Sequence, residues 1–159
     1  MDLESIKAIE QLKGRYCRAL DTKSWPELAA TLTSDVSAIY GQYLHFDSRD
    51  SFVSFLENTL GTHVITEHHC GQPDIDVDGD HATGVWCLSD ITIVPEDNLL
   101  LRGSAYYHDE YVRGPDGRWL ISHTGYERTW ESAISLADLP SFRLGFNRWD
   151  APEPPAASA

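Results

Sequence analysis

The chain reads as an α+β protein: three N-terminal helices packed on one strongly bent, mostly antiparallel sheet, the whole closing into a cone-shaped α+β barrel. Two observations predict this. Apolar residues recur every three to four positions through the first third of the chain and alternate with polar ones from Thr62 onward, so helical period gives way once to strand period. The alternating stretches are separated by Asp78-Gly79-Asp80, Pro95-Glu96-Asp97-Asn98 and Gly114-Pro115-Asp116-Gly117, turn chemistry that joins antiparallel neighbours.

Each element has its own signal. Ile6, Ile9, Leu12, Tyr16 and Leu20 draw one helix face across residues 3–20. Gly14 weakens that helix by roughly 1 kcal/mol, which packing can offset. Ser24, with Pro26 and Glu27 after it, has the pattern of a capping box and predicts a short second helix through Leu28 and Leu32. Residues 36–40 and 42–46 read as two short strands around Gly41. Asp47-Ser48 caps a third helix with a stripe of Phe52, Phe55 and Leu60, Val53 and Leu56 lying beside it, and Gly61 stops it. Residues 62–77, 81–94, 99–113 and 118–129 are four long strands rich in Val, Ile, Thr, Tyr and Trp. Residues 1–135 therefore form one domain. Residues 136–150 are expected to pack on the barrel or on a neighbouring subunit, and 151–159, rich in Pro, Ala and Ser, to be disordered.

Composition excludes several classes. Twelve basic against twenty-five acidic residues give a formal charge of −13, which disfavours nucleic acid or an anionic membrane as a partner. No apolar run approaches the ~20 residues of a membrane span, and the acidic start does not resemble a secretion signal. Cys17, Cys70 and Cys87 are odd in number and lack a Cys-x-x-Cys pair, which fits a reduced cytoplasmic protein. His63, His68, His69 and Cys70 alternate across two strand faces, so no metal is expected of them.

Two separated residues carry the chemistry. Asp21 stands where the first helix ends and His68 lies within a β-rich run. If the fold joins them, an ionised carboxylate on one imidazole nitrogen leaves the other free as a general base, a reaction centre needing no cofactor. Taken alone, Asp21 is a turn residue, Tyr16 a core residue and His68 a strand histidine; only their juxtaposition makes a site. His68 is preferred over His69, which regular alternation places on the opposite face, although a bulge near Gly71-Gln72-Pro73 would swap the two.

A resemblance adds to this. Ile9-Glu10-Gln11-Leu12-Lys13 through Tyr16, Ala19-Leu20-Asp21 and Trp25 resembles the opening of the SnoaL-like branch of the nuclear-transport-factor-2-like (cystatin-like) superfamily. So do His68-His69 ahead of Pro73, then Ile75, Val77, Asp78-Gly79-Asp80 and Ala82. Tyr107-x-Asp109-x-Tyr111, Asp116-Gly117-x-Trp119-x-Ile121 and Arg128 complete the pattern. The superfamily includes scytalone dehydratase, bile-acid 7α-dehydratase, hexachlorocyclohexane dehydrochlorinase, polyketide cyclases, steroid isomerases, epoxide hydrolases and plain binding modules. Its dehydratases and dehydrochlorinases share an Asp–His dyad, onto which Asp21 and His68 fall, with Tyr16 on a tyrosine of the dehydratases.

The resemblance implies a cofactor-independent, dehydratase-like lyase. It would take a carbon-bound proton from a small, mostly apolar cyclic or polyketide/steroid-like substrate, with Asp21, His68 and Tyr16 as the catalytic set. An isomerase, cyclase or hydrolase using the same pocket, or a non-catalytic binding or assembly domain, are the alternatives. His69, Trp86, Arg102, Tyr106, Tyr107, His108 and Arg128 are the candidate substrate-binding residues. Strand 99–113 can be aligned in two parities, so whether Arg102, Ser104, Tyr106 and His108 or Ala105, Tyr107 and Asp109 face the pocket is open. Tyr106, Tyr107, Tyr111 and Tyr126 exceed what one interior face can hide, and a homodimer or homotrimer is expected to bury the excess.

Overall fold

A computed structural model describes residues 2–41 and 43–150. Helix α1 (Leu3–Asp21) opens on Asp2, whose carboxylate accepts from the Ser5 backbone N–H at 3.0 Å, and it buries Ile9, Leu12, Tyr16, Ala19 and Leu20. Helix α2 (Trp25–Ala29) starts after Ser24, but the serine makes no side-chain cap bond, so the expected capping box does not form. It also stops short of Leu32. That residue instead opens strand β1 (Leu32–Tyr40), pairing with Ile121, while the Thr31 carbonyl accepts the Ile121 N–H at 2.9 Å. Strand β2 (Leu44–Phe46) returns antiparallel after Gly41, whose φ of 64° suits glycine in the turn. Helix α3 (Arg49–Thr59) is capped by Ser48 Oγ on the Ser51 N–H, and Leu60-Gly61 follows its end.

Four long strands complete the sheet: β3 (Ile65–Asp78), β4 (His81–Val94), β5 (Leu99–Arg113) and β6 (Trp119–Ser135). The sheet order is β2-β1-β6-β5-β4-β3. The meander is antiparallel throughout, while β1 lies parallel to β6, which is how the chain's first half joins the sheet edge to edge. Strand β6 runs past the predicted end at 129, because its register shifts opposite Ser104/Ala105 and it resumes pairing along β5 as far as Ser135. A second shift lies opposite Glu110/Tyr111, and a third in β3 between Gly71 and Asp74, where Gln72 has φ 49°. Each such bulge bends its strand and sharpens the local twist, and together they curl the sheet around the helices.

The interior splits into two zones. Ile9, Leu12, Leu28, Leu32, Val36, Leu56 and Ile121 form a closed aliphatic core between helices and sheet. Beside it runs an aromatic chain with rings in largely edge-on or tilted contact: Tyr16 on Tyr107, Tyr107 on Tyr126, Tyr126 on Tyr40, Tyr40 on Phe55, Phe55 on Phe46. Tyr107 and Tyr111 are buried and Tyr126 half-buried, so the sheet interior holds more of its tyrosines than the sequence suggested; Tyr106 alone of the four lies outward. The outer face instead carries Val85, Tyr106, Trp130 and Ile134. Along the extension Leu139, Leu144 and Phe146 are exposed within the single chain, and the 151–159 segment expected to be disordered lies outside the described residues. No helix among the described residues is long and apolar enough to cross a membrane.

Burial raises the phenol pKa of Tyr16, Tyr40, Tyr107, Tyr111 and Tyr126 above the ordinary 10.0, Tyr40 to about 12. Above pH 10 the unfolded chain releases protons that the fold retains, so stability should fall by up to about 1.4 kcal/mol per pH unit for each such phenol. Ultraviolet titration should show Tyr16, Tyr107 and Tyr111, the most strongly shifted, ionising only as circular dichroism reports unfolding; phenolates forming at all five in a still-folded protein would contradict the packing.

Candidate active site

The end of α1 and the middle of β3 meet at one carboxylate. Asp21 is the last helical residue, and its Oδ1 lies 2.7 Å from His68 Nδ1 while Oδ2 accepts the His68 backbone N–H at 2.8 Å. Because an ionised carboxylate only accepts, Nδ1 carries the hydrogen, and in the neutral imidazole Nε2 keeps its lone pair. Thr66, two residues before His68 on the same strand face, donates its hydroxyl to Asp21 Oδ1 at 2.9 Å. Lys23, turned back by φ 56°, donates its ammonium to Thr66 Oγ1 at 2.9 Å. Burial pulls the Lys23 pKa down to about 8, opposed by attraction to Asp21. The imidazole is thus held by a carboxylate that is itself fixed by the Thr66 hydroxyl and the His68 backbone N–H. Its side chain is 9% exposed.

His68 opens onto a cavity of about 320 Å³ bounded by α1, α3 and the concave face of the sheet. Leu20, Phe52, Leu56, Leu60, Val64 and Leu88 make most of it apolar. Tyr16, Tyr40, Tyr107 and Tyr126 also line it. Tyr16 and Tyr107 have pKa values well above the usual range, chiefly through burial, and so present neutral hydroxyl donors.

One row across the sheet sets the polar end of this cavity. His68 pairs with Asp90, Asp90 with Gly103, and Gly103 with Glu131. Arg128 reaches over Gly103 to grip Asp90 with both terminal nitrogens, Nη2 to Oδ2 at 2.7 Å, and its Nε lies 3.3 Å from Glu131. A Cβ at Gly103 would stand 2.7 Å from Arg128 Nη1 and 2.9 Å from the Trp130 carbonyl, so this ion pair needs the glycine beneath it. The hydrogen bond to Asp90 raises the Arg128 pKa further, and the guanidinium stays charged.

The structure separates the sequence candidates. Tyr16, Arg102, Tyr107 and Arg128 line the cavity with His68. Four others stand elsewhere. His69 is exposed, since the bulge in β3 comes after both histidines and leaves their alternation intact. Tyr106 and His108 lie on the convex face: inward parity on β5 belongs to Ala105, Tyr107, Asp109 and Tyr111. Trp86 is buried away from the cavity, donating its indole N–H to Tyr111 Oη at 2.8 Å. Thr66, Lys23, Asp90, Gly103 and Glu131 were missed. For two of them a signal existed: Thr66 shares the parity of His68, and Asp90 is the one acid at an inward position of β4, after Ala82, Gly84, Trp86 and Leu88.

Comparison with known proteins agrees with the fold. A model of the SnoaL-like domain matches residues 1–125, and the chain belongs to that family, within the nuclear-transport-factor-2-like superfamily. An uncharacterised protein of Mycobacterium tuberculosis is 30% identical over 115 residues, 71% of this chain and 78% of that one. A crystal structure of a candidate scytalone dehydratase from Novosphingobium aromaticivorans superposes with a TM-score of 0.76 at 26% identity, covering 82% of this chain and 88% of the other. A type-3 hexachlorocyclohexane dehydrochlorinase from Novosphingobium barchaimii gives a TM-score of 0.74 at 18% identity over 84% and 92% of the two chains, a likeness of fold.

Arg128→Ala leaves Asp90 buried without its partner and should cost about 3 kcal/mol; Gly103→Ala should cost about 1–3 kcal/mol through crowding. Because part of that crowding is against the guanidinium, the double variant should be destabilised by less than the sum in denaturant titrations. Strict additivity would place Arg128 away from Gly103.

Proposed function

We propose that this chain is a cofactor-independent lyase of the dehydratase type, and the observation that carries the reading is the 2.7 Å bond from Asp21 to His68 at the wall of a mostly apolar cavity. His68 Nε2 takes a proton from a carbon beside a carbonyl. Asp21 fixes the tautomer and stabilises the imidazolium that forms. Tyr16, kept neutral by burial, donates to the carbonyl oxygen as enolate charge develops, and the hydroxyl on the next carbon takes the proton back from the His68 imidazolium and leaves as water. Such proton transfer is worth ~10²–10⁴-fold, and an oriented donor in a low-dielectric site adds several kcal/mol.

Charge narrows the substrate. Arg128 is already shared between Asp90 and Glu131, so it does not offer a free cation for an anionic ligand. With Arg102 at the same wall, two cations face two acids. A neutral, largely apolar cyclic or polyketide-like ketone fits both this balance and the volume. Isomerase or cyclase chemistry would begin with the same proton abstraction and differ in where the proton returns. A homodimer or homotrimer covering the convex face around Tyr106, Trp130 and Ile134 belongs to the same reading.

Deuterium wash-in tests the first step without knowledge of the natural substrate. Neutral cyclic ketones that bind should exchange the α-hydrogen in D2O, followed by NMR. His68→Ala should abolish exchange while ligand binding and melting temperature stay near wild type, and Asp21→Asn, by analogy with the serine-protease aspartate, should cost up to about 10⁴-fold. Wild-type exchange in His68→Ala would replace the lyase with a binding module. Light scattering should give a dimer or trimer mass; a monomer at high concentration would refute the assembly.

A further inference from the structure

His68 also borders a second recess, of about 400 Å³, formed along the α1–β3 seam by Lys13, Gly14, Cys17, Arg18 and Cys70 among others. In it Cys17 Sγ and Cys70 Sγ lie 3.4 Å apart, both as free thiols. Their placement follows from two periodicities. Cys17 precedes Asp21 by one helical turn, and Cys70 follows His68 by two residues on the same face of β3. The seam is therefore closed twice, once by the dyad and once by this pair of sulfurs. Cys87, the third thiol, sits at an outward position of β4 opposite Gly71, on the other side of the sheet.

The pair is set up for oxidation. A disulfide needs S–S of about 2.05 Å, so the sulfurs must approach by roughly 1.4 Å, a shift within the reach of side-chain rotation. Between the two, the shared hydrogen and the nearby Lys13 ammonium favour the thiolate on Cys17 against the cost of burial, and the same sharing makes Cys70 harder to ionise. That asymmetry supplies one nucleophile and one resolving thiol. The recess leaves room for a reagent, because a side chain at Gly14 would meet nothing within 4 Å. A metal is the other use of paired thiols, and among the described residues no group of three or more His, Cys, Asp or Glu side chains is placed to hold one.

We propose that Cys17 and Cys70 are a modification site, closing to a reversible disulfide that staples α1 to β3 beside Asp21 and His68, with a low-molecular-weight disulfide as the oxidant. The Cys17 thiolate attacks one sulfur of the oxidant RSSR, forming a Cys17–S–S–R mixed disulfide and expelling RS⁻. Cys70 then gives up its proton to that thiolate and attacks the Cys17 sulfur, forming the Cys17–Cys70 bond and expelling a second RS⁻, which takes the proton Cys17 lost. Two protein thiols are oxidised by two electrons, and RSSR is reduced to two RSH. The crosslink spans 53 residues, enough to restrict the unfolded chain substantially.

The test equilibrates the folded full-length chain with mixtures of oxidised and reduced glutathione, then reads intact mass, alkylated peptides and melting temperature. The expected result is loss of two hydrogens with no glutathione retained, and a peptide joining the Cys17 and Cys70 segments while Cys87 alkylates. Melting should rise by about 5 °C or more, reversed by dithiothreitol. Cys70→Ser should instead trap glutathione on Cys17, and neither Cys17→Ser nor Cys70→Ser should gain the melting shift. A stable glutathione adduct on the wild-type protein, a linkage through Cys87, or a disulfide that forms only in denaturant would each overturn the assignment. Thiol state is read directly, so the result is independent of which reaction His68 performs.

Discussion

The ion pair of Lys13 and Asp109 is the constraint around which the site is built. Lys13 Nζ lies 2.7 Å from Asp109 Oδ2 with both side chains buried, and the ammonium sits 3.4 Å from the centroid of the Tyr107 ring. The contact is one of charge with charge and with a π face; Lys13 has no well-aligned hydrogen bond. Asp109 is satisfied more fully, accepting from Tyr111 Oη and Thr124 Oγ1 at 2.8 and 2.7 Å. Two charges withdrawn from water this far are costly to separate, since the survivor would be left buried and alone. The pair therefore locks the rotation and height of α1 against β5 and β6. Tyr16, Cys17 and Asp21 follow at three, four and eight residues along the same helix, so their aim is set by a bond they do not make.

What was legible in the sequence is what a period can carry. The stripe of α1, the alternation of β3 to β6 and the turns between them announce themselves residue by residue, and Asp21 and His68 stand out as polar residues at the ends and faces those periods define. Bulges defeat a period. The register shift in β6 near Thr129 carries the strand on to Ser135, and the one after Gly71 moves inward parity from Cys70 to Ile75 and Val77. Parity on β5 could not be chosen from the sequence because Tyr106 and Tyr107 are equally plausible inward residues until a partner strand is known. Short elements defeat it too: Leu32 fits a helical spacing after Leu28, and only its pairing to Ile121 makes it strand.

The missed residues share a physical reason. Asp90, Gly103 and Glu131 come from three strands and form a unit only through cross-strand register, which no local pattern records. Gly103 in particular reads as a weak point in a strand; its meaning lies in the guanidinium that occupies the space its side chain would fill. This unit also explains why an apolar cavity can carry charged residues at its wall. Arg128 lies within 3.3 Å of both Asp90 and Glu131, so these three charges present a ligand with the field of a closed cluster.

Backbone strain is concentrated at the same place. Among the described residues, three non-glycine positions have φ in the left-handed region: Lys23, Gln72 and Asn98. Asn98 closes an ordinary turn and tolerates the conformation well. The other two flank the elements that bear the dyad, Lys23 just after Asp21 and Gln72 shortly after His68. Left-handed geometry costs such residues roughly 1 kcal/mol or more each. At Lys23 the return is visible: the reversed chain brings the ammonium back to Thr66, and through Thr66 to the Asp21 carboxylate. At Gln72 the bulge lets Thr66, His68 and Cys70 face α1 while Ile75 and Val77 still face the core further along the same strand. Relaxing either residue to an extended backbone would move Asp21 or the inward face of β3, so the strain is the local cost of holding an acid at a helix end against a base at mid-strand.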